Sequence, residues 1–270
     1  MIPSFFLRSR ICAALSALIL PAACITLQGK QNQEVPATDS IQLKADTGLL
    51  SASVNCDIVS RFIWRGANFG DAVSIQPYTS LGIGDLSLYM WGSFALASQS
   101  PATPDFLAFW LQYPVETSFG TFTTTLSDWV FRNVAGDTAN AQSRFFFNTK
   151  GEGHGNHIIE AALLYTGPDA FPVEFLFAKN VYNDPGYSGY MQVSYPFEVN
   201  DISLKASLGG VTGKSSMWYF TEESGFHLYN VQLSATKNID FTAQYSVPVT
   251  VSYVLNPYTE TSWMVFSVTL

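Results

Sequence analysis

The chain ends with the residues Thr261-Ser262-Trp263-Met264-Val265-Phe266-Ser267-Val268-Thr269-Leu270, and this stretch decides the fold. Apolar side chains stand at Met264, Phe266, Val268 and Leu270, and the residues between them are mostly polar. Successive side chains of a strand point to opposite faces, so one face of this segment is apolar to its last residue. Soluble proteins rarely end this way, because terminal residues fray in water. The pattern predicts the closing strand of an outer-membrane β-barrel, the segment that barrel-assembly machinery recognises, although Phe is commoner than Leu at the last position.

The amino-terminal segment is typical of an exported protein. Arg8 and Arg10 precede an apolar stretch over 11–25, which is shorter than the ~20 residues that a membrane-spanning helix needs. We interpret residues 1–24 as a signal peptide, with cleavage between 24 and 29. The order Leu20-Pro21-Ala22-Ala23-Cys24 also leaves open a lipoprotein site at Cys24.

The composition agrees with export and insertion into a membrane as strands. Only 13% of the residues are charged, and six Trp, 13 Tyr and 21 Phe suit either interfacial aromatic girdles or a soluble core. The formal net charge of −8 argues against nucleic acid as a partner. After cleavage Cys56 is the one cysteine left, so no internal disulfide is expected, and by strand parity it lies on the lipid face.

The mature chain divides into a polar leader over 25–48, which we expect to be flexible and periplasmic, and a barrel over 49–270. Alternating segments bounded by Gly, Pro, Asn and Asp recur through the second part. They predict an all-β fold, a transmembrane antiparallel up-and-down barrel of about 12 strands. The predicted strands lie near 49–64, 73–83, 86–97, 105–115, 119–131, 157–166, 172–181, 187–198, 202–211, 226–237, 240–254 and 260–270.

The lengths of the connections alternate, as they do in such barrels. The two longest, 132–156 and 212–225, fall on the side that we expect outside the cell. The short connections, expected in the periplasm, are 84–85, 116–118, 167–171, 199–201 and 238–239. A soluble β-sandwich is the alternative fold, but it has no reason to separate long from short connections.

The polar face of each strand predicts the lining of the lumen. On the first strand Asn55, Asp57, Arg61 and Arg65 share one face, and we place Val54, Ile58, Phe62 and Trp64 on the lipid face, because Arg in mid-membrane costs ~2–4 kcal/mol. The same parity places these residues inside: Gln112, Glu116, Glu160, Gln192, Lys205, Asn230, Gln232, Gln244 and Thr250. Two interpretations stay open: opposite charges pair and plug the barrel, or separated charges set a field across a water-filled constriction.

Three motifs carry residue types that other functions use. Residues 152–157 contain metal-ligand side chains in a glycine-rich loop, which favours a loop over a metal site. Phe145–Phe147 would either narrow the mouth of the barrel or pack within its loop. Ser143, His154 and His157 lack the arrangement that nucleophilic catalysis requires, so we predict no metal, no cofactor, no catalytic residue and no enzyme activity.

Two motifs stand out in the mature chain, Ser-Arg-x-x-Trp-Arg-Gly at 60–66 and Asn-Pro-x-Thr-Glu at 256–260. Together with several shorter stretches, they resemble the TorF-like porins, a family of outer-membrane barrels. The resemblance covers most of the mature chain and implies a porin-type barrel without catalytic residues. The chain departs from the family pattern at Cys56, at Gln192 and at the terminal Leu270. Further matching stretches are 74–77, 91–93, 155–161, 195–197 and 246–249.

We therefore expect an integral protein of the Gram-negative cell outer membrane, a channel for passive diffusion of small hydrophilic solutes. Its expected partners are outer-membrane lipid, the barrel-assembly machinery and those solutes. The alternatives are a closed structural or surface-interaction barrel with a charge-plugged lumen, and an outer-membrane hydrolase. The solute and the oligomeric state are left open by the sequence.

Overall fold

The computed structural model describes residues 41–42, 50–97, 105–131, 145–242 and 245–270. The predicted signal peptide, the alternative lipidation site Cys24, Ser143 and Gln244 lie outside the described residues. Of the predicted leader, only 41–42 is described. Among the described residues, no helix is long and apolar enough to cross a membrane.

Nearly all regular structure in the described residues is β-strand. A single turn of 3₁₀ helix lies at Phe145–Phe147. The strands are β1 (Ile41–Gln42), β2 (Leu50–Val59), β3 (Phe62–Trp64), β4 (Ala67–Gly70), β5 (Ser74–Ile83), β6 (Leu86–Ala95), β7 (Phe106–Thr117), β8 (Gly120–Phe131), β9 (His157–Thr166), β10 (Glu174–Tyr182), β11 (Gly189–Val199), β12 (Ile202–Thr212), β13 (Phe226–Thr242), β14 (Tyr245–Asn256) and β15 (Thr261–Thr269).

Twelve of these strands form a closed antiparallel barrel. Starting from β2, the order is β5 to β15 in sequence, and β15 pairs back with β2. At the closure Thr269 pairs with Asp57, and Leu270 and Cys56 exchange two backbone hydrogen bonds of 2.9 and 3.0 Å. The predicted fold class and strand number are confirmed, and pairing of the last strand with the first excludes a sandwich. Strand β1 adds to β2 just beyond the end of β15, where Ile41 pairs with Val54.

The wall of the barrel is apolar outside, and its inner face carries polar side chains together with a cluster of aromatic rings. On β15, Phe266 points outward with 52% of its surface exposed, whereas Ser267 and Thr269 point inward and are buried. Other outward apolar residues that are exposed include Leu81, Leu88, Leu111, Leu126, Leu163, Phe177, Met191, Leu208, Leu233 and Tyr253. Buried polar residues inside include Gln76, Ser93, Thr125, Ser127, Ser194, Ser207, Asn230, Thr250 and Ser252. A soluble barrel shows the reverse arrangement, because its apolar side chains leave water.

One predicted short connection is wrong. The sequence placed a turn at 238–239, but β13 continues to Thr242, and Asn238 pairs with Pro248 of β14. The outward residues Ile239 and Phe241 extend the alternation of the strand, so the pairing continues through them. The other short connections lie close to their predicted places, at 84–85, 118–119, 167–173 and 200–201.

The first predicted strand is also wrong at its far end. It was expected to run from 49 to 64, but β2 ends at Val59 and the chain bends at Ser60-Arg61. Strands β3 and β4 then pair only with each other and form a separate two-stranded sheet. This hairpin belongs to the end of the barrel that carries the long connections, and it folds inward.

Candidate functional site

The β3–β4 hairpin turns on two residues, Arg65 and Gly66. Both have positive φ angles, 49° and 81°, which is the backbone of a two-residue hairpin turn of type I′. Asn-Gly and Asp-Gly are the usual sequences of this turn, and an arginine in the left-handed region is uncommon. Arg65 is therefore held in this conformation by its surroundings.

The hairpin lies inside the barrel and packs against aromatic side chains of the wall. The ring centroid of Phe62 is 5.4 Å from that of Trp91 and 5.3 Å from that of Phe106. The rings of Trp64 and Trp129 are 5.0 Å apart. Phe62 and Trp64 were expected on the lipid face of a continuous strand. That prediction is wrong, because the chain bends at 60–61 and the rings of Phe62 and Trp64 then lie in the lumen.

The tip of the hairpin is fixed to the wall formed by β13 and β14. The side-chain amide of Asn256 donates a 2.9 Å hydrogen bond to the carbonyl oxygen of Gly66. A Cβ atom at Gly66 would lie 2.1 Å from the carbonyl oxygen of Tyr229. Only glycine permits both the turn and this close approach.

Arg65 reaches from this tip to Glu160 on β9. Arg65 Nη1 lies 2.7 Å from Glu160 Oε2 and Nη2 lies 3.1 Å from Oε1, and each side chain is only 4% exposed. The guanidinium also lies 4.9 Å from the ring centroid of Trp64 and 5.0 Å from that of Tyr190. Strand β9 is five strands away from β2 in one direction around the barrel and seven in the other. The ion pair therefore ties the hairpin that follows β2 to a strand on the far side of the barrel.

The connection 213–225, between β12 and β13, also folds into the barrel. Its Trp218 and Tyr219 are buried, and Trp218 lies 5.8 Å from Trp129 and 6.0 Å from Phe69, between ring centroids. Arg65 Nη1 donates a 3.1 Å hydrogen bond to Tyr219 Oη. Burial raises the pKa of the Tyr219 phenol, which keeps the phenol neutral. We call residues 62–70 and 213–225 together the lumen plug.

Beyond the lumen plug, toward the short connections, small polar side chains line the barrel. Hydroxyl pairs join neighbouring strands at Ser53–Ser80, Ser194–Ser207, Ser234–Ser252 and Thr236–Thr250, with oxygen–oxygen distances of 2.6 to 2.9 Å. Lys205 Nζ lies 2.7 Å from Glu174 Oε2 on the same wall. This half of the lumen offers hydroxyl, amide and charged groups, whereas the other half is filled with aromatic rings.

Most of the predicted lining residues do point inward. Asn55, Asp57, Gln112, Glu160 and Gln192 are buried, and Lys205 is half-buried against Glu174. Asn55 Nδ2 and Asp57 Oδ1 have no hydrogen-bond partner among the described residues.

Two lining residues predicted on the first strand, Arg61 and Arg65, lie beyond its end, and several partners were missed. Arg61 lies in the bend rather than on β2, with Nη1 3.3 Å from Asp71 Oδ1. Glu116 is on the inward face but exposed at the end of β7. Sequence parity did not identify Tyr190 or Tyr219 as neighbours of Arg65, because nothing local in the sequence links them to it.

His157 belongs to the outer surface of the barrel, not to the lumen. Its Nδ1 lies 2.9 Å from Asp128 Oδ2 and its Nε2 lies 2.8 Å from the carbonyl oxygen of Phe146. Phe146 packs on the outward ring of Phe109, with centroids 6.1 Å apart, so Phe146 packs beside the wall and does not narrow the mouth. Both ring nitrogens of His157 are occupied, which favours a structural role. Within the described residues, no group of three His, Cys, Asp or Glu is arranged to hold a metal.

No protein-family model matches this chain, and no curated protein matches it.

Proposed function

We propose that the protein is an outer-membrane β-barrel of porin type whose passage is closed at rest by the lumen plug. The observation that carries this proposal is the ion pair between Arg65 and Glu160, which ties the β3–β4 hairpin across the lumen. The charged groups inside the barrel thus occur as the pairs Arg65–Glu160 and Lys205–Glu174 rather than as separated patches of one sign. The resemblance to TorF-like porins supports the barrel type but not the closed state.

A membrane location is supported by the exposed apolar side chains on the outer face of the wall. A chain of aromatic rings follows the rim at the short connections, as interfacial girdles do. Neighbouring ring centroids lie 5.1 to 6.4 Å apart in the pairs Phe119–Phe122, Phe122–Tyr165, Tyr165–Phe175, Phe171–Tyr195, Tyr195–Phe197 and Phe241–Tyr245. An exported chain with this surface would be inserted by the barrel-assembly machinery, with the long connections outside the cell.

A passage for small hydrophilic solutes is supported by the half of the lumen without the plug. Its hydroxyl and amide groups would exchange hydrogen bonds with water and with polar solutes. Opening would require the hairpin to leave its position, because Arg65, Gly66 and the rings beside them occupy the other half. A permanently closed structural barrel is the second candidate, and the same buried ion pair favours it.

Conductance in planar bilayers separates the two candidates. We expect wild-type protein to be closed for most of the recording, and Glu160→Gln to open far more often, because it leaves the Arg65 charge unpaired. Glu198→Gln is the matched control, since Glu198 is exposed at the short-connection end of β11. A third variant replaces both parts of the lumen plug, 61–71 and 214–224, with short Gly-Ser linkers. If this variant folds, as a heat-modifiable gel shift would show, and still does not conduct, the barrel is structural and the channel proposal is wrong.

A further inference from the structure

Among the described residues, charged side chains on the outer face of the barrel strands are few, and all but one have a partner. Asp128 is paired with His157, and Lys237 Nζ lies 2.9 Å from Asp201 Oδ2 in the turn beside it. Lys179 on β10 is exposed and has no carboxylate partner among the described residues. An unpaired lysine that faces lipid raises the free energy of the folded barrel. The side chains around Lys179 therefore indicate which kind of group could neutralise its charge.

Lys179 stands in a groove on the outer surface. Its register partners on the two neighbouring strands are Ala161 and Gly189, both too small to cover it. The next row toward the short connections consists of Leu163, Phe177 and Met191, which form an apolar side of the groove. The groove has a volume of about 410 Å³, and none of its ten lining residues is acidic.

A second polar group lines the same groove. Thr212 of β12 pairs in register with Gly189, and a Cβ atom at Gly189 would lie 2.2 Å from Thr212 Oγ1. The absence of a side chain at Gly189 therefore leaves room for the Thr212 hydroxyl on the lysine side of β12. The groove combines an ammonium group, a hydroxyl donor and an apolar side.

We propose that this groove binds an anionic lipid, with its phosphate on Lys179 and Thr212 and an acyl chain along Leu163, Phe177 and Met191. The proposal rests on the proposed membrane location. Lys179 lies three residues before the end of β10 at Tyr182, about 10 Å along the strand. A lysine side chain at that depth reaches the head-group level on the side of the long connections. A charge-assisted hydrogen bond to phosphate is stronger than one between neutral groups.

The competing explanation is a lysine that only extends into water at the membrane surface. Such a lysine needs neither a groove nor a preferred lipid. Lys179→Gln and Ala161→Leu separate the two explanations, because the first removes the charge and the second fills the groove while keeping the lysine. Lys237→Gln is the matched control, since it removes an outward lysine that already has a carboxylate partner.

The experiment is native mass spectrometry of the folded full chain in neutral detergent, titrated with phosphatidylglycerol or phosphatidylcholine. We expect wild type and Lys237→Gln to bind one phosphatidylglycerol in preference to phosphatidylcholine. Lys179→Gln should weaken phosphatidylglycerol binding by about tenfold, and Ala161→Leu should weaken binding of both lipids. Unchanged preference in Lys179→Gln, or unchanged binding in Ala161→Leu, would overturn the proposal.

Two further measurements distinguish a failure of the lipid proposal from a failure of the channel proposal. Excess inorganic phosphate should not displace the lipid, and displacement would assign the site to a free anion instead. A gel shift on the same samples confirms that each variant is folded. If lipid preference is lost as expected while bilayer conductance contradicts the closed channel, only the channel proposal fails. If preference is absent from a folded wild type, only the lipid proposal fails.

Discussion

Arg65 and Glu160 form a bidentate ion pair inside the barrel, although 95 residues separate them in the chain. One residue is at the tip of a hairpin and the other is in the middle of a barrel strand, so the pair fixes the hairpin relative to the wall. Both charged groups are removed from water, and each is stabilised by the other. The guanidinium is stabilised further by the rings of Trp64 and Tyr190. Such a pair contributes little net stability, but removal of one member leaves an isolated charge.

Glu160→Gln is therefore expected to destabilise the folded barrel by about 3–5 kcal/mol, because it leaves the Arg65 guanidinium buried and unpaired. The free energy of unfolding is measured by urea titration of protein refolded in lipid vesicles. The double variant Arg65→Met, Glu160→Leu should recover most of the loss, since it removes both charges. Lys214→Gln is the control, because the Lys214–Glu222 pair is exposed and such pairs contribute about 0–1 kcal/mol. Equal losses in the single and double variants would show that packing, not charge, holds the hairpin.

Gly66→Ala is expected to prevent the β3–β4 hairpin from packing against β13 and β14. The new Cβ would meet the carbonyl oxygen of Tyr229, and the hairpin would move or the wall would open. The measured quantity is the rate of proteolysis within 62–70 in folded protein, which should rise. Gly213→Ala is the matched control, because Gly213 also has a positive φ, 89°, but no atom lies within 4 Å of its Cβ position. If both variants are cleaved equally, backbone strain alone explains the effect.

Alternation of side chains was sufficient to predict the barrel, because each strand follows a period of two and both faces differ in polarity. The closing strand β15 is the clearest case, since its apolar face and its pairing with β2 follow from one short stretch. The same rule failed at 60–64, where Phe62 and Trp64 continued the alternation although the strand had ended. Apolar rings suit a packed lumen as well as lipid, so parity cannot distinguish the two environments.

The candidate site was predicted in part. Arg65 and Glu160 were both placed inside, since a charged side chain avoids lipid. Their contact was not predicted, because it depends on a turn that reverses the chain at 65–66. The Arg-Gly step at the turn was the available signal, and it is weaker than the Asn-Gly step of common hairpins.

The placement of the long connections outside the cell is tested by surface labelling. A short epitope inserted after Ser224 should be labelled on intact cells, because 222–225 is the exposed end of the lumen plug. An epitope at Asn200, in the turn between β11 and β12, should be labelled only after the outer membrane is permeabilised. Labelling of the Asn200 epitope on intact cells would reverse the orientation.

Assembly is expected to depend on the outward face of β15. Phe266→Asp places a carboxylate among exposed apolar side chains, and removal of Leu270 deletes both backbone hydrogen bonds to Cys56 at the closure. Both changes should lower the folded protein in the outer membrane, because charge on a lipid-facing wall is destabilising and an unclosed edge leaves backbone groups without partners. Phe266→Leu is the control, since it keeps the position apolar and should assemble normally. The heat-modifiable gel shift of isolated membranes gives the folded fraction. If Phe266→Asp and Phe266→Leu give equal folded fractions, the outward face of this strand does not contact lipid, and the membrane location itself is in question.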